Sequence, residues 1–158
     1  MVFNQQLARL LNAILGDKRE VLYAYAYSQI GQKKSGFKAP VEYGCAEAVN
    51  RIFLECFDNE AGGDVSTARM YQALLSSPRF LQIKSPTQYK RGDIIISPTG
   101  LGSGKIPNGH VGCLGDDFTI MSNNSKTGVW DTKIDFYQWI KRYVIEGGYP
   151  MHAFRVIY

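Results

Sequence analysis

The hydrophobic period of the chain changes near Pro78, and that change limits the fold more than any other feature. Before it, apolar residues recur three and four positions apart. Phe3, Leu7, Leu10, Leu11, Ile14 and Leu15 predict a helix over 3–15, stopped by Gly16-Asp17. Residues 18–30 read as a second helix, although the alternation Tyr23-Ala24-Tyr25-Ala26-Tyr27 also fits a strand. Gly31, Lys33, Lys34, Ser35, Gly36 and Pro40 make a loop of 31–44. A helix follows over 45–57, with Ala48, Val49, Ile52, Phe53, Cys56 and Phe57 on its apolar face. Asp64 or Ser66 can cap another, whose Met70, Ala73 and Leu74 turn inward.

After Pro78 the apolar runs are short or alternating: RFLQI, DIIIS, GHVGCLG, FTIMS, GVWDT and HAFRVIY, separated by Gly, Pro, Asn and Asp. One further helix is expected near 135–144. Helices first and strands afterwards give an α+β domain with a mainly antiparallel sheet.

A chain of 158 residues favours a single domain, 1–158, with 1–40 as an N-terminal helical extension. Hydrophobic residues at 45% and charged residues at 20% exclude wholesale disorder. No apolar run reaches the roughly 18–20 residues that span a bilayer, so no membrane span is expected. The first residues lack the basic leader and continuous apolar stretch of a secretory signal. Cytoplasmic synthesis is the expectation; the final location stays open, and if the chain leaves the cytoplasm it does so by another route, such as delivery by a phage or a secretion system. The net charge of +4 comes from scattered basic residues, and no nucleic-acid partner is expected. Three cysteines without a Cys-x-x-Cys pair, and two histidines, make neither a disulfide scaffold nor a zinc site. No metal or other cofactor is expected.

The chemistry therefore rests on thiols and imidazoles. Cys45 opens a helix, where free N–H groups and the helix dipole favour a thiolate; the plainer reading is a small buried hydrophobe. Cys56 and Cys113 lie on apolar faces and read as core. His110 begins a strand behind the flexible Asn108-Gly109, whereas His152 alternates with Phe154, Val156 and Tyr158 and reads as packing. If 110–114 and 118–122 form a hairpin, Asn123 and Asn124 end the strand beside His110, as an orienting group or as a turn. Gly100-Leu101-Gly102-Ser103-Gly104-Lys105-Ile106 lacks two positions of a phosphate loop and reads as a mobile loop leading to His110. Arg91-Gly92-Asp93 reads as a turn into a strand.

In order, these pieces resemble the papain-like cell-wall cysteine peptidases: the NlpC-type peptidases and the CHAP amidohydrolases. The resemblance covers about residues 41–125. It runs through YGCAEAVNRIF, STARMYQAL, YKRGDIIIS, GHVGCLG and FTIMSNN. Two departures stand out. Gly44-Cys45-Ala46-Glu47 replaces the common Asp-Cys-Ser-Gly, and the third strand offers asparagine where many members have histidine.

The resemblance implies a papain-like fold, its Cys-opened helix packed on the sheet. It implies hydrolysis of amide bonds in peptidoglycan stem peptides or cross-bridges, by an endopeptidase or amidase of the kind found in endolysins. Cys45 would be the nucleophile, His110 the base and Asn123 its orienting partner. The Cys45 N–H, with Tyr43, would hold the oxyanion, and Asn124 would support. The implied partner is a peptidoglycan peptide, with a phage virion, a secretion-system carrier or an immunity protein as companions. Two other classes fit the same residues. One is an effector acting on a protein as deamidase or isopeptidase; the other is a catalytically silent virion or wall-associated module.

Overall fold

The structure, a computed structural model, describes residues 2–158. Met1 and the side chains of Val2 and Phe3, the last expected on an apolar helix face, lie outside that description. Helix α1 (Val2–Leu15) directs Leu7, Ala8 and Leu11 into the core, while Leu10 and Ile14 are exposed. Its inward stripe is narrower than the spacing predicts, and α1 packs chiefly against α2 (Lys18–Ser28) and α3 (Cys45–Phe57). The ambiguous tyrosine-alanine segment is helical. Asp17 caps it, accepting from the Arg19 N–H at 2.9 Å. Val21, Leu22, Tyr25 and Ala26 are buried, a helical spacing that a strand would divide between two faces. Residues of α1 and α2 share one core with α3 and the sheet, so this segment is part of the body of the fold.

Helix α4 (Thr67–Ser76) starts at Ser66, whose hydroxyl accepts from the Arg69 N–H at 3.2 Å. Six strands follow: β1 (Phe80–Ile83), β2 (Ile94–Ser97), β3 (His110–Leu114), β4 (Thr119–Asn123), β5 (Trp130–Asp135) and β6 (His152–Val156). They form one sheet of order β1-β6-β2-β3-β4-β5, every neighbouring pair antiparallel. Between β5 and β6 lies α5 (Phe136–Trp139), started by a capping box of Asp135 and Gln138. It continues as a π-helix over Ile140–Glu146.

Strand alternation divides the core. Ile94, Ile96, Val111, Cys113 and Met121 face α2 and α3; Ile95, Leu114, Ile120 and Ala153 face Trp139, Tyr143 and Tyr149. The turn before β2 is locked by Asp93, fully buried, whose carboxylate receives Arg155 at 2.7 and 2.8 Å and the Lys90 N–H at 2.8 Å. Arg91-Gly92-Asp93 thus serves the fold. No helix among the described residues is long and apolar enough to cross a membrane.

Candidate active site

Helix α3 begins at Cys45, directly after Gly44, which a side chain cannot replace without striking Ser35. The loop in front is held from two directions. Glu47, buried in the first turn of α3, accepts backbone N–H groups from Gly36 (3.1 Å), Phe37 (3.0 Å), Lys38 (2.8 Å) and Ala39 (3.2 Å). Asn123, at the end of β4, accepts from the Ser35 hydroxyl at 2.6 Å and donates to the Val41 carbonyl at 2.9 Å. Loop, helix start and strand end are thereby one hydrogen-bonded unit, and the Cys45 backbone can shift little within it.

His110 reaches the site from the other face of the sheet. Alternation from Leu114 turns its ring toward α5 and the π-helix. The ring stacks on Tyr143 with centroids 5.5 Å apart and planes 12° apart, and Trp139 lies at 5.3 Å. The Trp139 indole N–H donates to the Ser97 hydroxyl at 3.1 Å, and Ser97 is the neighbour of His110 across the β2–β3 ladder. Cys45, at the start of α3, and His110, at the mouth of β3, both line one cleft of about 710 Å³. The backbone amides of Val111, next after the histidine, of Ala46 and of Cys45 itself act to lower the Cys45 thiol.

The electrostatics run against a preformed thiolate. Burial pushes the Cys45 thiol up to about 11, outweighing those three amides. Burial also pulls His110 down to about 4. The positive charge of Arg142 acts in the same direction, and the negative charge of Asp131 opposes it. At neutral pH the pair is therefore an uncharged thiol and an uncharged imidazole. The expectation drawn from the helix dipole fails because the helix start is covered by the loop and the end of the sheet.

The asparagines divide differently from the expectation. Asn123 has the face parity of Met121, toward α3, and both ends of its amide are engaged by Ser35 and Val41. Asn124 donates to Asp131 at 2.9 Å and accepts from the Lys126 N–H at 2.9 Å. Neither hydrogen-bonds the His110 ring, so the orienting role expected of Asn123 is corrected to one of holding the Cys45 loop. What fixes the imidazole plane is ring stacking. The acidic group acting on it is Asp131, paired in register with Ser122 on β5. Tyr43 is exposed on the cleft wall one residue before Gly44.

Other sequence expectations find their places. Cys56 and Cys113 are buried in the core. His152 stacks on Tyr71 at 4.5 Å, with Gln82 at 3.3 Å from its Nδ1. The glycine-rich segment is tied down, which corrects its reading as mobile. The N–H groups of Ser103 and Gly104 donate to the Gly147 carbonyl at 3.1 and 2.9 Å, and that of Lys105 to Glu146 at 3.1 Å. Amides engaged in this way cannot cradle a phosphate.

Glu47, Asp131, Trp139, Arg142 and Tyr143 are site residues that sequence reasoning missed. Glu47 was visible as an acid in the first turn of the Cys45 helix. Trp139 and Tyr143 were visible as an i, i+4 aromatic pair. Nothing local to Asp131 or Arg142 marks them. No protein-family model matches the chain, and no curated protein is significantly similar to it.

Proposed function

We propose that this chain is a papain-like cysteine hydrolase that cleaves amide bonds in peptidoglycan peptides. Cys45 is the nucleophile and neutral His110 the base. The observation that supports the proposal is that Cys45, first residue of α3, and His110, first residue of β3, line the same cleft. The choice of peptidoglycan comes from the resemblance in motif order.

Since both groups rest uncharged, ionisation accompanies attack. The thiol proton passes to the imidazole as the sulfur closes on the substrate carbonyl. The oxyanion forms next to the Cys45 N–H, with Tyr43 on the same wall as a second candidate donor. The imidazolium then protonates the leaving amine. A water, deprotonated by His110, cleaves the thioester and regenerates the thiol. Asp131 favours the transient imidazolium and Arg142 opposes it, so their balance sets how readily the proton moves. Asn123 acts by holding the loop that precedes the nucleophile.

The uncharged resting pair also favours a second reading, a wall- or virion-associated module that keeps the fold without the reaction. One experiment separates the two: incubation with purified peptidoglycan and mass analysis of the released fragments. The wild-type protein is expected to release peptides with new amine termini. Cys45→Ala should lower that release by at least about 10³-fold while keeping its circular dichroism. Equal release by both proteins removes the mechanism, and no release by either leaves the silent module.

A further inference from the structure

Arg142, Lys133 and Lys126 all line the cleft that holds Cys45 and His110, and none of the three makes an ion pair among the described residues. The cations that do form ion pairs among the described residues all lie outside this cleft. Lys34 meets Glu55 at 2.5 Å, Lys38 meets Glu60 and Asp64, Arg91 meets Glu20 and Asp116, and Arg155 meets Asp93. Two carboxylates also line the cleft. Asp131 receives the Asn124 amide and not a cation, and Glu42 stands beside Tyr43, on the loop that leads to Cys45. Three cations against two acids leave a positive excess, carried by β5, the turn after β4 and the π-helix.

Arg142 lies beside the ring that stacks on the base. Its guanidinium carbon lies 5.6 Å from the Tyr143 ring centroid, and that ring stacks on His110 at 5.5 Å. Cation, phenol and imidazole follow one another, so a planar forked donor stands one ring away from the base. An arginine in that position matches a carboxylate better than a point charge does. Lys133 and Lys126 extend the positive wall along the outer strand and its turn.

We propose that the cleft takes an acidic peptide, with a carboxylate of the substrate seated on the wall formed by Arg142, Lys133 and Lys126. This rests on the cleft being the substrate site of the proposed hydrolase, but its test needs no turnover. The probes are an N-acetylated, C-amidated tetrapeptide carrying one glutamate, and its glutamine twin. Binding of each to the Cys45→Ala protein is measured by calorimetry at low salt.

The glutamate peptide is expected to bind about fivefold to tenfold more tightly than its twin. That preference should shrink in Arg142→Gln, in the double variant Lys126→Gln/Lys133→Gln, and at high ionic strength. Both variants alter exposed side chains, so they should fold as the parent does. Equal affinity for the two peptides, or binding of neither, overturns the proposal. A preference for the acidic peptide that no variant changes overturns the assignment to this wall. Acidic binding without any cleavage by the wild-type protein would sink the hydrolase reading and leave this one standing.

Discussion

The nucleophile side and the base side of the cleft are built by different forces. Around Cys45, placement comes from directional bonds: four N–H groups on Glu47 and two bonds on Asn123. Around His110, placement comes from packing: Tyr143 on one ring face and Trp139 at the side, with Trp139 held by Ser97. Hydrogen bonds fix position and angle together. Stacking fixes the plane of a ring and leaves its nitrogens free to exchange protons. A nucleophile needs the first kind of restraint, and a group that must gain and lose a proton in each cycle is well served by the second.

The strongest way to break this contrast is Glu47→Ala. It leaves four backbone donors without their carboxylate, and the expected loss is about 3–5 kcal/mol in urea unfolding. Amide exchange should rise first in residues 36–39. A loss under about 1 kcal/mol would mean that the loop is held by something else.

Next in size is Tyr143→Ala, which removes a buried ring and is expected to cost about 3 kcal/mol. Here the informative reading is at His110. Its ring signals in NMR should broaden or shift, with the Cys45 loop unaffected, and Tyr143→Phe should restore them because the stack needs the ring and not the hydroxyl. Failure of phenylalanine to restore them would show that hydroxyl chemistry is at work on the base side as well.

The smallest effect sharpens the electrostatics. Folded His110 titrates at about 4, below its ordinary 6.5, so the unfolded chain binds the proton more readily. Stability is therefore full above about pH 6.5 and falls toward pH 4, at a limiting rate of about 1.4 kcal/mol per pH unit. Asp131→Asn removes the charge that favours the imidazolium and should move the His110 titration further down, by less than about one pH unit. An upward movement would place Asp131 in the wrong role.

The sequence made the elements legible because each carries its own local signal. Ser66 and Asp135 cap helices, the period changes after Pro78, and Gly92 stands at a turn. Cys45 and His110 were legible for the same reason, each being the first residue of an element. Their protonation was not legible. It depends on what covers the helix start, and the covering pieces come from Ser35, Val111 and Asn123, far apart in the chain. The choice between Asn123 and Asn124 failed for a similar reason. Adjacent strand residues point to opposite faces, and motif order does not say which face holds the histidine. Arg142 is brought to the base by a π-helix, which the apolar spacing of 136–144 does not distinguish from an α-helix.

The strand order carries a consequence for how the molecule is made. β6 follows the other five strands in sequence, yet it lies between β1 and β2 and pairs with both. During synthesis the hairpins of β2 to β5, with the cleft residues they bear, can assemble from near neighbours. β1 cannot join the sheet until His152–Val156 has been made and has entered the gap. Closing Phe80 onto Val156 is the most remote pairing in the sheet, and such contacts form slowly. Until then β2 presents an open edge to other nascent chains, and β6 is the strand of this sheet that covers it.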